Sequence, residues 1–222
     1  MNIPVVGLVS NGGDDTIRFV EAIDHPVDEL IVVFDGCEGE HLPSNPMVGK
    51  TTPLRVPGKI GPAACWNLVI KARMNSPNWL LAVEGVRLSP GLIGDFSSAL
   101  DRDPSPGIVH ASSGDFSAGC WDLFLIGDDI VGIMGLFDEN LLDWEFAGAD
   151  YLMRTVHRPI KKTVSLGRDY GNAPAPYNEK LSIKNHAYLT KKWGNWSACD
   201  PMFNPFGNPD FAVGYFPFIV GV

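Results

Sequence analysis

The sequence lacks the features that mark disulfide-stabilised, secreted and membrane proteins. Its four cysteines are widely spaced and form no Cys-x-x-Cys pair, which predicts free thiols in a reducing compartment. No apolar run approaches the roughly 20 residues of a membrane helix, and no basic segment precedes an apolar one at the N-terminus. We therefore predict a cytoplasmic protein without a membrane span.

Positive charge is also scarce. The chain has 17 Lys and Arg residues against 26 Asp and Glu residues, a formal net charge of −9, and its basic residues cluster only in pairs such as Lys161-Lys162. A nucleic acid is not expected as the main partner, because its phosphates need a basic face. The P-loop of nucleotide hydrolases and the Gly-x-Ser-x-Gly elbow of serine hydrolases are absent as well.

The first half of the chain alternates apolar runs with helical patterns. Continuous apolar strands at Pro4–Val9 and Glu29–Phe34 flank an amphipathic helix at Asp14–Ile23, which predicts a βαβ unit with parallel strands. Residues 43–57 are rich in Pro, Ser and Thr, so we predict a loop that ends in a short strand at Pro53–Val56. A helix over Gly61–Met74 follows.

The alternation continues for one more unit and then breaks. A strand at Trp79–Val83 leads through a Ser-Pro-Gly turn into a helix that begins at Gly91. After residue 106 the pattern predicts antiparallel strands up to Ile126, helices at Asp128–Gly132 and Glu145–His157, and only Ala187–Trp193 as strongly helical thereafter.

These elements predict one α/β domain over residues 1–222 of the 222-residue chain. Residues 1–105 form a Rossmann-like nucleotide half, and residues 106–222 form a mixed, loop-rich acceptor half. The aromatic tail Phe203–Val222 is expected to pack across the core in preference to serving as a sugar-stacking lid or a dimer contact. A homo-oligomer stays open.

Candidate binding residues stand where the strands end, because ligands of open α/β sheets bind beyond the carboxyl ends of the strands. Ser10 and Asn11 end the first strand, Asp35 ends the second, and Glu84 follows Val83. The helix that opens at Gly61 and carries Asn67 would turn its N-terminus toward the same crevice, which favours a phosphate. Ordinary turns and helix caps explain Ser10, Asn11 and Asp35 equally well.

Several of these segments together resemble a known family. The segments ELIVVFDG, GPAACWN, RLSPG, GLFDEN and ADYLMR occur in this order between residues 29 and 154. The order is similar to that of inverting family 2 glycosyltransferases of the GT-A fold, especially short viral and phage-borne members. The resemblance implies a GT-A fold, a nucleotide-sugar donor, and a glycan or protein acceptor. It also implies that Asp35 contacts the nucleotide and that the residues around Asn11 line its base. A viral chain would act in the host cytoplasm.

The chain departs from the family at the metal motif. Family members carry paired acids at the end of the fourth strand, where a divalent cation bridges the donor diphosphate. Here the matching residues Val83, Glu84, Gly85 and Val86 keep one carboxylate. We therefore predict that dependence on Mn²⁺ or Mg²⁺ is weak or absent, with Glu84 as the one candidate ligand.

A second departure affects the catalytic base. The family's Glu-Asp-x-Asp motif aligns its first two acids with Ala147 and Gly148. The acids that remain nearby are Asp143, Glu145 and Asp150. Glu145 is favoured because it opens the helix, whereas Asp150 matches a family position that holds the loop; a helix-capping role for Glu145 is an equal alternative.

Two functions remain in competition. The first is a hexosyltransferase that moves a sugar from a nucleotide diphosphate to a hydroxyl with inversion. The second is a catalytically silent protein that binds sugar nucleotides or carbohydrates on the same scaffold. The retained Asn11, Asp35 and GLFDEN segment favour the enzyme.

Overall fold

The computed structural model describes residues 2–39, 41–103, 107–112, 121–157, 163–168, 170–172 and 179–193. The strands within these ranges are β1 (Ile3–Ser10), β2 (Val27–Asp35), β3 (Val48–Val56), β4 (Asn78–Val83), β5 (Val86–Arg87), β6 (Ile108–His110), β7 (Leu123–Gly127), β8 (Thr163–Ser165) and β9 (Gly171–Asn172). The helices are α1 (Asp14–Glu21), α2 (Pro62–Ala72), α3 (Leu92–Arg102), α4 (Asp128–Met134), α5 (Trp144–His157) and α6 (Glu179–Trp193).

A mixed sheet in the order β3-β2-β1-β4-β7-β6-β8 forms the centre of the fold. The strands β1, β2 and β3 run parallel to one another and β4 runs parallel to β1, as the apolar runs of β1, β2 and β4 predict. The interior of β1 needs Gly7, since a Cβ there would lie 2.7 Å from Cγ1 of Val69 on α2. The α/β architecture with a Rossmann-like first half is confirmed, and three parallel strand ends share one edge.

The direction of the sheet changes at β7. This strand pairs antiparallel with both β4 and β6, which confirms the antiparallel prediction for this region. The pairing continues beyond the strands, because the amide of Val83 donates to the carbonyl of Asp122 at 3.0 Å. The entrance of β7 therefore lies beside the exit of β4.

Two elements are longer than predicted. The prediction of a loop before Pro53 was wrong, because β3 begins at Val48 and pairs with β2 along its length. Its polar residues are tolerated because an edge strand faces solvent, where the missing N–H of Pro53 costs little. Helix α6 begins at Glu179 rather than at Ala187, because its first part buries the polar Asn185 and exposes Ile183 and so shows no apolar periodicity.

Smaller differences concern the helix ends: α4 extends to Met134, whereas the sequence predicts an end at Gly132.

The predicted packing of Phe203–Val222 falls outside the described residues. None of the helices in the described ranges combines the length and apolar character that crossing a bilayer requires.

Candidate functional site

A cavity of about 670 Å³ opens at the shared edge of β1, β2 and β4. Apolar walls come from both halves of the chain, with Val9 and Val83 on one side and Leu142, Trp144 and Leu181 on the other. Five of the residues predicted from the sequence line it: Asn11, Asp35, Gly61, Glu84 and Asp143. The structure therefore brings together strand ends that lie far apart in the sequence.

Glu84 fastens the exit of β4 to the loop after β1. Its Oε2 accepts hydrogen bonds from the backbone N of Asn11 at 3.1 Å and from Nδ2 of Asn11 at 2.7 Å. Its Oε1 accepts from Oγ1 of Thr16 at 3.3 Å. Gly85 makes the turn that follows, with a φ of 91° that favours glycine. Both oxygens of Glu84 are thus bonded to protein donors.

Ser10 lies beneath the cavity and is not among its lining residues. Its hydroxyl lies 2.5 Å from Oγ1 of Thr16 and accepts the amide of Gly12 at 2.9 Å. Ser10 consequently orders the loop that carries Asn11.

Asp35 anchors the start of α2. Oδ1 accepts the amide of Ile60 at 2.6 Å and Oδ2 accepts the amide of Gly61 at 3.1 Å, while the residue is only 4% exposed. Gly61 also contacts the acceptor half closely, since a Cβ there would lie 2.9 Å from Cα of Leu142. Asp35 therefore fixes the position at which the two halves meet beside the cavity.

Asn67 connects α2 to the GLFDEN segment and does not line the cavity. Its Nδ2 donates to the carbonyl of Phe137 at 3.0 Å and to Oε1 of Glu139 at 2.8 Å. Its Oδ1 accepts the amide of Phe137 at 2.9 Å. The buried amide side chain thus holds this segment through both of its polar ends.

The acids at the start of α5 differ in burial. Asp143 lines the cavity, and burial raises its pKa despite the opposing backbone bonds from Glu145 and Phe146. Glu145 is more exposed, and its pKa is raised first by partial burial and then by the charges of Asp143 and Asp122. A raised pKa makes a carboxylate a stronger base.

Asp122 was missed by the sequence interpretation. It is buried just before β7, and its Oδ1 accepts a hydrogen bond from the hydroxyl of Tyr170. Only the antiparallel pairing of β7 brings this acid beside Val83 and near Glu145. The one local signal is an acid directly before the apolar run LFLIG.

Asp150 lies in a buried ion network outside the cavity lining. It is fully buried, and its carboxylate contacts Arg154, Lys192 and Nε1 of Trp193, the last at 2.7 Å. These contacts hold α5 against α6. Asp143 lines the cavity and Glu145 follows the lining residue Trp144 in the chain, whereas Asp150 is not among the lining residues.

Trp121 covers the position that the resemblance gives to the base. A Cβ on Gly148 would lie 2.1 Å from Cδ1 of this buried indole, and Ala147 is fully buried as well. An acid at residue 148 is therefore incompatible with the present packing.

We expect Gly148→Ala to destabilise the protein even though alanine favours helices. The added methyl group should cost about 1–3 kcal/mol of unfolding free energy through overpacking against Trp121. Gly132→Ala is the matched control, since nothing lies within 4 Å of its Cβ position. That variant on α4 should gain about 0.5–1 kcal/mol. Equal urea midpoints for the two variants would contradict the packing.

The described side chains at the exit of β4 do not fit a divalent cation. Both oxygens of Glu84 are taken by Asn11 and Thr16, and Gly85 and Val86 add no side-chain oxygen. Among the described residues, no group of three His, Cys, Asp or Glu side chains could hold a metal ion. Divalent ions usually need several oxygen ligands.

Comparison with known proteins identifies the fold. The sequence matches no protein-family model and no curated protein. Its structure is similar to that of residues 1–349 of TarS from S. aureus, with a TM-score of 0.55 and 10% identity over 99% of this chain and 76% of that TarS segment. It is also similar to glucosyl-3-phosphoglycerate synthase from Mycobacterium tuberculosis, solved with Mg²⁺ and UDP, with a TM-score of 0.58 and 14% identity over 86% of this chain and 79% of the synthase.

A third similar structure is the mannosyltransferase PcManGT from Pyrobaculum calidifontis, solved with GDP-Man and Mn²⁺. Its TM-score is 0.57, with 13% identity over 93% of this chain and 67% of the transferase. These proteins are GT-A glycosyltransferases, and the GT-A fold predicted from the sequence is confirmed.

Proposed function

We propose that the chain is a glycosyltransferase that moves a sugar from a nucleotide diphosphate to a hydroxyl of a glycan or protein, with inversion. One observation carries the proposal: Asn11, Asp35 and Glu84, from three strand ends, share one cavity with Asp143 from the acceptor half. A volume of about 670 Å³ lies within the usual range for small-ligand sites. The similar structures solved with UDP or GDP-Man support this choice of donor class.

In the proposed reaction, the nucleotide occupies the β1 and β2 side of the cavity. Asn11 and Asp35 offer an amide and a carboxylate for the base and ribose. The acceptor enters beside Asp143 and Glu145, and one of them takes its hydroxyl proton as the oxygen attacks the anomeric carbon. The bond to the diphosphate breaks on the opposite face, which inverts the configuration.

A catalytically silent binding protein is the second candidate. The observation that favours it is the indole of Trp121 against Gly148, where the resemblance expects an acid. Such a protein would keep the nucleotide side of the cavity and lack turnover.

Calorimetric titration with UDP- and GDP-sugars, paired with a donor-hydrolysis assay, distinguishes these candidates. Binding together with turnover supports the transferase, whereas binding alone supports the silent protein. A chain that binds no nucleotide sugar would contradict both.

We expect Asp35→Ala to weaken donor binding by about 1–3 kcal/mol, the usual effect of losing a hydrogen bond to a charged group. The control is Asp28→Ala, because Asp28 is an exposed acid on the same strand and does not line the cavity. Calorimetry on both variants, after circular dichroism shows that each is folded, makes the measurement. Unchanged donor affinity in Asp35→Ala would refute the nucleotide role.

We also expect from the sequence that residues 1–222 form a single domain, that the chain is related to viral or phage-borne family 2 members, and that it is located in the cytoplasm. The sequence leaves open whether the chain forms homo-oligomers.

A further inference from the structure

Among the described residues that line the cavity, Lys59 is the one cation and Asp35, Glu84 and Asp143 are the acids. Two of these acids are bonded to donors within the protein, Asp35 to the amides of Ile60 and Gly61, and Glu84 to Asn11 and Thr16. A nucleoside diphosphate would bring further negative charge into this space. Some group in the cavity must therefore offset it.

The backbone of Lys59 is held firmly while its side chain is exposed. The amide of the next residue, Ile60, donates to Asp35 at 2.6 Å. On the other side, Gly36 has a φ of 74°, and a Cβ there would lie 2.7 Å from the backbone N of Lys59. The stem of Lys59 thus starts from a fixed point at the rim, and its ammonium group is free to reach a ligand.

Other sources of positive charge in the cavity are weaker. The amides of Ile60 and Gly61, just before α2, already bind Asp35, and Pro62 at the first helical position has no N–H to offer. The exit of β4, which supplies the metal ligands in the resembling family, presents a Glu84 whose two oxygens are taken. Within the described part of the chain, Lys59 is therefore the lining residue whose side chain can offset the charge of a diphosphate.

We propose that the Lys59 ammonium binds the diphosphate of the donor and stabilises the leaving group where the cavity does not fit a divalent cation. The inference rests on the proposed transferase function. As the acceptor oxygen bonds to the anomeric carbon, the electron pair of the broken bond passes to the β-phosphate oxygen, and the acceptor proton passes to a carboxylate at the start of α5. Lys59 keeps its proton and pairs with the developing negative charge.

The test compares diphosphates with nucleosides in EDTA. Calorimetry of the full chain uses UDP, GDP, uridine and guanosine as probes, with Lys59→Ala, Lys59→Arg and the control Lys184→Ala, an exposed lysine on α6. We expect Lys59→Ala to weaken diphosphate binding at least tenfold and leave nucleoside binding unchanged. Lys59→Arg should stay within about threefold of the natural chain, since arginine also pairs with phosphate. The control should match the natural chain.

Three results would overturn the proposal, and they distinguish a wrong role for Lys59 from a wrong function. If the natural chain binds nucleosides but needs Mn²⁺ to bind diphosphates, or if Lys59→Ala binds them normally, then the role of Lys59 is wrong and the nucleotide function stands. If the natural chain binds neither nucleosides nor diphosphates, with or without Mn²⁺, the proposed function is wrong as well.

Discussion

Glu145→Gln is expected to lower the transfer rate by about a hundredfold to ten-thousandfold, the range typical of losing a general base, while donor affinity stays the same. Glu145 stands at the start of α5, one turn from the buried Ala147 and Gly148 and next to the cavity residues Asp143 and Trp144. Partial burial and the charges of Asp143 and Asp122 raise its pKa. Steady-state transfer rates and calorimetry on the same variant make the measurement.

The pH dependence gives this prediction a second readout. Only the deprotonated carboxylate accepts a proton, so the rate should fall as the pH drops through the raised pKa of Glu145. Asp122→Asn removes one of the charges that raise this pKa, and the acid limb of the profile should move to lower pH. Asp128→Asn, an exposed acid on α4, should leave the limb in place. A larger loss in Asp143→Asn than in Glu145→Gln would assign the base to Asp143 instead.

Lys192→Met should lower the free energy of unfolding by about 3–5 kcal/mol, because it removes the cation that two buried carboxylates share. The Nζ of Lys192 lies 2.8 Å from Oδ2 of Asp138 and 2.5 Å from Oδ1 of Asp150, and the residue is 1% exposed. Methionine fills similar space without charge. The adjacent Lys191 is exposed, and Lys191→Met should change stability by less than about 0.5 kcal/mol. Similar denaturation midpoints for the two variants would contradict the network.

The pH dependence of stability should also report on this ion network. Burial raises the pKa of Asp138, but the Lys192 charge and the bonds from Lys192, Tyr188 and Asn140 outweigh it and hold the pKa below its usual range. The stability that Asp138 contributes is therefore complete above the unfolded pKa of about 4 and is lost as the pH falls through the lowered value. In Lys192→Met the pKa of Asp138 should rise toward or above its unfolded value, so this acid-induced loss of stability should become smaller.

The parallel half of the fold could be predicted because its signals are local. The strands β1, β2 and β4 are continuous apolar runs, and polar residues follow at each exit, so Asn11, Asp35 and Glu84 were found from the sequence. Strand β3 was missed because its polar residues are stabilised by pairing with β2, and the start of α6 was missed because it buries Asn185 and exposes Ile183.

The parts of the site that were missed depend on distant partners. Asp122 reaches the β4 edge only through antiparallel pairing, which no local pattern encodes. Lys59 lies in a Pro-Gly loop without periodicity. Its proposed role in binding phosphate follows only from its position beside the acids of the cavity. The two oxygens of Glu84 are taken by residues near the start of the chain, which sequence spacing cannot reveal.

The contact between the Trp121 indole and Gly148 also restricts the order in which substitutions at these two positions can occur during evolution. While Trp121 is present, a side chain at residue 148 has no room, so a lineage that gains an acid there must first acquire a smaller residue at 121. Conversely, a lineage with an acid at residue 148 must lose that acid before residue 121 can become tryptophan. Homologous sequences should therefore show the two positions changing together, with a small residue at 121 wherever 148 is acidic.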